Sequence, residues 1–146
     1  MAERMASEVS TYKVVSFSGT DPALKEFDSM IRKDFKTALR YGNGWYKLID
    51  QDRYYQIYEA IISALLKRPD SVVRVAVASE DPSLAYGWSI VEDEKVHFVF
   101  VKKDVRNEGI GTSLLPKEIS VITHLTTSGE AIWQKKYPDA IFDPFA

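Results

Sequence analysis

Residues 96–115 read VHFVFVKKDVRNEGIGTSLL, and this stretch decides how the chain folds. Its first six residues are β-branched or aromatic except for His97, which predicts a strand covered on both faces and therefore central in its sheet. The polar residues that follow, together with Gly109 and Gly111, predict a turn that leads into a helix. The stretch is thus predicted to be a central strand followed by a glycine-rich turn and a helix start.

The residues before this stretch predict the rest of an antiparallel meander and two helices. Short acidic turns separate three segments of β-forming residues, and Gly87 in the second segment is predicted to mark a bulge. Apolar side chains recur at helical spacing further upstream. The predicted strands are residues 72–78, 84–91 and 96–101, and the predicted helices are residues 24–40, which Pro22 begins, and 52–67.

The two ends of the chain complete a mixed fold. A first strand is predicted over residues 12–17, a β-prone segment over 119–125 and a last helix from Thr126 to about Tyr137. The order β-α-α-β-β-β-α-β-α predicts an α+β (mixed α/β) domain with a central mixed sheet. One domain is expected over residues 11–146, after a polar lead-in over residues 1–10.

Composition narrows the classes of function. The chain of 146 residues has 19 basic and 21 acidic side chains, so its net charge of −2 gives no reason to expect a nucleic-acid partner. The absence of cysteine excludes disulfides and thiolate metal sites, and two histidines cannot form a histidine-rich metal cage, so no metal is predicted. No apolar run is long enough to cross a bilayer and no secretory signal is recognisable, so a cytoplasmic protein without a membrane partner is expected.

The glycine-rich turn has the properties of an anion site. The first N–H groups of a helix are unpaired and carry partial positive charge, which favours phosphate. Gly109 and Gly111 lack a Cβ and would let an anion approach the backbone, while Arg106 adds charge and Thr112 a hydroxyl. The glycine spacing alone favours a plain strand–turn–helix connection over an anion site.

The motif Arg-x-x-Gly-Ile-Gly-Thr-x-Leu-Leu, which begins at Arg106, resembles the acyl-CoA-binding signature of the GNAT N-acetyltransferase superfamily. The similar order of elements covers residues 12–137, and several short strings, including Phe142-Asp143-Pro144, resemble small GNAT-like proteins encoded by phages. The resemblance implies a GNAT-like fold and an acyl-CoA-dependent N-acyltransferase. Acetyl-CoA would be the cosubstrate, and the acceptor would be an amine on a small molecule or a protein.

The resemblance also assigns site residues. The main chain of Val99, Phe100 and Val101 would bind the pantetheine arm, and the sheet would splay between these residues and residues 122–125. An amine would then attack the thioester directly, without a protein nucleophile. The pyrophosphate would lie on the loop formed by Arg106, Asn107, Glu108, Gly109, Ile110, Gly111 and Thr112.

Three features depart from the pattern of the superfamily. Glu108 places a carboxylate beside the expected phosphates, and Pro116 should shorten the helix that follows the turn. The segment after Tyr137 is too short for the C-terminal hairpin of the superfamily, so that hairpin should be short or absent. The substrate side would then be open, or completed by a second subunit in a homodimer.

Five side chains are candidates for catalysis or acceptor binding. With a regular pleat, His97 shares a face with Val99 and could act as a general base, and His124 would lie on the opposite lip of the same cleft. Each histidine could instead be a hydrogen-bonded residue of the core. Tyr137 is the candidate proton donor to the leaving thiolate, although Trp133 competes for that position. Trp45 and Tyr46 are the candidate acceptor contacts.

Two other functions remain open from the sequence. The chain could be a non-catalytic GNAT-like structural or binding protein of a phage particle, which Glu108, Pro116 and the short C-terminus favour. It could also be an acyltransferase that modifies nucleic acid, although the acidic balance and the absence of a basic tract argue against that function.

Overall fold

A six-stranded mixed sheet carries the fold in the computed structural model, which describes residues 11–106 and 109–146. The predicted lead-in and the loop residues Asn107 and Glu108 lie outside the described residues. The spatial order of the strands follows the chain: β1 (Tyr12–Ser18), β2 (Ser71–Ala78), β3 (Ala85–Glu92), β4 (Lys95–Val101), β5 (Val121–Ile122) and β6 (Ile141–Phe142). Strands β1 to β4 pair antiparallel, whereas β5 pairs parallel to β4 and β6 parallel to β5.

The helices lie in the predicted places. Asp21 begins the first helical segment by accepting a hydrogen bond from the Ala23 amide, and Pro22 opens a short 3₁₀ turn that leads directly into α1. The described helices are α1 (Lys25–Gly42), α2 (Gln51–Leu66), α3 (Ile110–Ser113) and α4 (Thr127–Lys136). None of the described helices is long and apolar enough to cross a membrane.

The core lies between the first two helices and the sheet. The rings of Phe35 on α1, Tyr54 on α2 and Trp88 on β3 are completely buried. Phe35 stacks on Phe98 of β4 with ring centroids 4.6 Å apart. This aromatic layer fixes α1 against the central strand, and burial of such large rings supplies much of the stabilisation of a core.

The predicted order of strands and helices is confirmed, and three details follow from the structure. Helix α3 has only 4 residues, as the position of Pro116 predicted, because proline lacks an amide hydrogen and blocks a longer helix. Strand β5 has 2 residues instead of seven, since its pairing with β4 stops early. The tail was not predicted to form a strand, but Ile141 donates to the Ser120 carbonyl and thereby begins β6. In the described part of the chain, this single strand follows α4 in place of a hairpin.

Candidate active site

A cleft opens where β4 and β5 separate. The two strands pair only at Lys95 with Val121 and at Val96 with Ile122, and the last backbone bond runs from the Thr123 amide to the Val96 carbonyl at 3.0 Å. Beyond this point lies a cleft of about 990 Å³, at the upper end of the usual range for ligand pockets. The strands are thus parted, as the resemblance implied, and the gap between them is open.

A bulge and two side-chain bonds hold the strands apart. Ile90 pairs with Phe98 and Val91 with Val96, so His97 is an extra residue in β4, and such a bulge bends a strand. On the other side, the Asn43 side chain donates to the Leu125 carbonyl at 3.2 Å and the Thr127 hydroxyl donates to the Gly42 carbonyl at 3.0 Å. The chain leaving β5 is therefore bonded to the end of α1 instead of to β4.

The glycine-rich turn forms one end of the cleft. Gly109 has a φ of +81°, a conformation that L side chains rarely adopt. Among the described residues, a Cβ on Gly111 would meet only the Val101 side chain, at 3.6 Å. The Arg106 Nε donates to the Val101 carbonyl at 3.0 Å. Because α3 has a single turn, its N-terminus contributes less positive charge than the predicted helix would.

Two further residues complete this end of the cleft. Lys136 was not predicted from the sequence, and Ile110 has a packing role. Lys136 of α4 lines the cleft, and its Nζ donates to the Thr112 hydroxyl at 3.3 Å, which adds a cation beside the turn. Because Lys136 lies 24 residues after Thr112 in the sequence, their contact could not be predicted before the fold was known. Ile110 is buried and packs into a small core with Val105 and Leu114, so its side chain anchors the turn.

Helix α1 forms the opposite wall and contributes a carboxylate that the sequence analysis also missed. Asp34 lines the cleft beside Thr37 and Tyr41, and the Trp88 indole donates to its Oδ2 at 3.3 Å. Burial raises the pKa of Asp34. In the sequence, Asp34 is marked only by its position beside the apolar residues of α1. Many polar residues without a function have such a position, so the sequence did not identify Asp34 as a cleft residue.

His124 lies on the wall of the cleft and is neutral at neutral pH. Its ring packs edge-on against Phe35 and Tyr58 with centroids 5.4 and 5.6 Å away, and 7% of the residue is exposed. Burial, followed by the proximity of His97, lowers the pKa of His124 to about 4. The ring can therefore accept a hydrogen bond or a proton from a molecule in the cleft.

His97 lies behind that wall and not on it. The bulge breaks the regular pleat that the prediction assumed, and His97 is completely buried. Its Nε2 lies 3.0 Å from Glu92 Oε1, and its Nδ1 lies 3.0 Å from the Thr123 hydroxyl. The same hydroxyl lies 2.9 Å from His124 Nδ1, so the two histidines do converge, and one threonine joins them.

Tyr137 and Trp133 both line the cleft. The Trp133 indole donates to the Ala140 carbonyl at 2.9 Å, which occupies its only polar group. Within the described residues, the Tyr137 hydroxyl has no hydrogen-bond partner. Of the two, Tyr137 alone presents an available donor.

Trp45 and Tyr46 do not lie on the cleft. Tyr46 is buried against Tyr54 and Tyr58, with ring centroids 6.2 and 5.9 Å away, and Trp45 packs edge-on against Tyr46. The Arg40 guanidinium donates to the Tyr46 carbonyl and fixes this turn. The aromatic residue of this region that reaches the cleft is Tyr41, which is 58% exposed.

Solved structures of similar shape include acetyltransferases. A candidate acetyl transferase from Pyrococcus furiosus superposes with a TM-score of 0.56 at 19% identity, over 86% of this chain and 90% of that one. The ribosomal-protein-alanine N-acetyltransferase from Brucella melitensis biovar Abortus 2308 gives a TM-score of 0.42 at 12% identity, over 92% of this chain and 81% of that one. No family model and no curated protein matches the sequence.

The similarity to the Pyrococcus structure extends over nearly the whole of both chains, which fixes the arrangement of strands and helices but not the chemistry. The chain therefore has the fold of the GNAT N-acetyltransferase superfamily.

Proposed function

We propose that the protein is an N-acyltransferase that moves an acyl group, most simply acetyl, from acyl-CoA to an amine. The observation that carries this proposal is the cleft between β4 and β5. Beyond His97, the edge of β4 that faces β5 has no strand partner among the described residues. Its main chain is therefore open to an extended ligand, apart from the Val101 carbonyl, which accepts from Arg106 Nε. A pantetheine arm with two amide groups matches such an edge, with Val99, Phe100 and Val101 as the binding residues.

The glycine-rich turn supports the diphosphate end of the same ligand. Gly109 and Gly111 leave its surface open, and Arg106, Thr112 and Lys136 place two cations and a hydroxyl at this end of the cleft. In the proposal the amides from Arg106 to Thr112, including those of Asn107 and Glu108, bind the phosphates. The cations stabilise the charge of the diphosphate through hydrogen bonds that are stronger than neutral ones.

The wall formed by α1 supports a cationic acceptor. Asp34 is the carboxylate on this wall, and the Trp88 indole holds its orientation. A carboxylate in a partly buried cleft attracts an ammonium group more strongly than one in water. We therefore assign Asp34, with Tyr41 beside it, to binding of the amine before transfer.

The transfer itself needs no covalent intermediate with the protein. The amine nitrogen bonds to the thioester carbonyl carbon, a backbone amide near Val99 stabilises the oxyanion, and the carbon–sulfur bond then breaks. An ammonium acceptor first releases one proton to solvent, because only the neutral amine has a lone pair that can attack. After attack the nitrogen loses its second proton to His124 Nε2, and the thiolate gains one from the Tyr137 hydroxyl. Proton transfer through solvent from the imidazolium to the tyrosinate then restores both side chains. Both side chains are on the cleft wall.

Calorimetric titration with acetyl-CoA tests the binding half of the proposal. Gly111→Glu should weaken binding by at least about 100-fold, because a carboxylate beside the diphosphate repels it. The fold should be kept, since a Cβ at this position makes only an ordinary contact. Gly44→Glu is the matched control, because a Cβ at Gly44 meets nothing within 4 Å and Gly44 is not on the cleft.

Acetyl-CoA that does not bind to the wild-type protein at millimolar concentration would refute the proposal. Equal affinity in the wild-type protein and Gly111→Glu would remove the diphosphate from the turn. Turnover is then measured with a panel of primary amines, and the release of free CoA thiol is followed. Asp34→Asn should raise KM for a cationic amine and leave the affinity for acetyl-CoA unchanged.

A further inference from the structure

A chain of hydrogen bonds runs from the surface of the protein to the wall of the cleft. Glu92 Oε1 contacts His97 Nε2 at 3.0 Å, and His97 Nδ1 contacts the Thr123 hydroxyl at 3.0 Å. That hydroxyl contacts His124 Nδ1 at 2.9 Å. Three of the four residues are buried, and Glu92 is the member that reaches solvent.

We propose that Glu92, acting through His97 and Thr123, holds His124 in the tautomer whose Nε2 carries no proton and faces the cleft. Glu92 and Thr123 are then positioning residues for the reaction, and His97 positions His124 instead of touching the substrate. The inference about catalysis rests on the proposed function, but the tautomer itself does not.

The direction of each bond follows from the charge at the surface end. Glu92 is ionised, because Arg68 donates to its Oε1 at 3.0 Å and Lys95 lies 3.9 Å away. An ionised carboxylate only accepts hydrogen bonds, so His97 Nε2 must carry a proton. Burial lowers the pKa of His97, so the ring is neutral at neutral pH and its Nδ1 is an acceptor.

The threonine passes this constraint on to the second histidine. With His97 Nδ1 unprotonated, the Thr123 hydroxyl must point its single hydrogen at it, since two lone pairs would otherwise face each other at 3.0 Å. The other acceptor within reach, the His97 carbonyl, is farther away at 3.3 Å. The hydroxyl can then only accept from His124, which places the proton of that ring on Nδ1.

The arrangement leaves a lone pair on His124 Nε2. The contact of His124 with the Thr123 hydroxyl uses Nδ1, and His124 lies on the cleft wall, so Nε2 is the ring nitrogen left for a molecule in the cleft. The lone pair can therefore accept the proton that the amine nitrogen loses as it bonds to the thioester carbon. When Nε2 takes up this proton, His124 becomes an imidazolium whose Nδ1–H still donates to Thr123. The chain of hydrogen bonds therefore stabilises the positive charge.

Nuclear magnetic resonance of the protein labelled with ¹⁵N-histidine tests the tautomers directly. The chain has only two histidines, so both sets of ring signals can be assigned by substituting one of them. We expect His97 with its proton on Nε2 and His124 with its proton on Nδ1. A proton on Nε2 of His124 in the wild-type protein would overturn the proposal, whether or not the protein turns over any amine.

Substitutions of Thr123 and Glu92 test whether these residues control the tautomer of His124. Thr123→Val keeps the shape but removes the hydroxyl, so His124 should shift toward the Nε2–H form and kcat should fall at least tenfold with little change in acetyl-CoA affinity. Thr123→Ser should restore both the tautomer and kcat. In Glu92→Gln the proton of His97 is no longer fixed on Nε2, because an amide can donate as well as accept. Glu94→Gln in the adjacent exposed turn is the control and should leave both tautomers unchanged. Unchanged His124 tautomers in both Thr123→Val and Glu92→Gln would refute the connection.

Discussion

At the scale of single residues, environment decides what two identical side chains do. His97 and His124 have the same chemistry and share the Thr123 hydroxyl, yet one is enclosed behind the wall and the other lies on it. The bulge at His97 produces the difference, since it takes that side chain out of the regular pleat. Sequence alternation alone placed His97 in the cleft.

The low pKa of His124 predicts how stability depends on pH. In the unfolded chain the pKa of a histidine is about 6.5, whereas in the folded protein the pKa of His124 is lowered to about 4. Between these values the unfolded state binds more protons, so the free energy of unfolding falls as the pH falls, by roughly 3 kcal/mol over the window. Burial of His97 acts in the same direction.

Urea unfolding at pH 7 and at pH 5 measures this effect. His124→Gln should lose less stability between the two pH values than the wild-type protein, because glutamine does not titrate. Carboxylates contribute to both proteins alike, and Glu92, whose pKa is lowered by its bonds to His97 and Arg68, titrates below this range. The same loss in both proteins would show that His124 is not the buried group responsible.

At the scale of elements, the end of α1 determines where β5 leaves the sheet. Asn43 and Gly42 bond to Leu125 and Thr127, and this replaces the ladder that would otherwise continue along β4. Gly42 also lets the two segments approach, because a Cβ there would lie 2.8 Å from the Thr126 Cγ2 and 2.9 Å from its Cβ.

Gly42→Ala should therefore destabilise the protein by roughly 1–3 kcal/mol, the usual cost of overpacking. The displaced Thr126 should also disturb the cleft, so acetyl-CoA should bind more weakly. Gly44→Ala, in open space two residues later, is the control and should leave both properties near the wild-type values. Urea unfolding and calorimetry measure the two effects, and equal stability of the two variants would contradict the close approach.

At the scale of the whole molecule, no single element forms the cleft. Its walls come from α1, β4, the glycine-rich turn, the segment after β5, and α4. These parts meet only in the folded state, so a ligand that fills the cleft must stabilise the fold as a unit.

Acetyl-CoA should raise the melting temperature of the protein. At a concentration about 100 times Kd, a ligand specific to the folded state adds about 2.7 kcal/mol of stability. For a chain of this size, that corresponds to a shift of roughly 5–10 °C. Pantetheine, which lacks the diphosphate, should give a smaller shift at the same concentration, and an equal shift would mean that the turn does not bind phosphate.

The sequence by itself determined the kind and order of nearly all the elements. The period of the hydrophobic residues and the positions of proline and glycine determine local structure. The meander, the helices that precede it and the glycine-rich turn could therefore be predicted from residues 12–115. The central place of the strand that carries His97 followed from its apolar composition, since only a strand covered on both faces can bury such a run.

Only the tertiary structure decided which side chains meet. Four features depend on segments far apart in the chain: the strand β6, the carboxylate of Asp34 on the cleft, the cation of Lys136 beside the turn, and the bond between Thr123 and His97. The bulge in β4 likewise depends on the register with β3, which is a property of two strands together. Local patterns carry no information on such contacts, because their energies arise only when the chain packs.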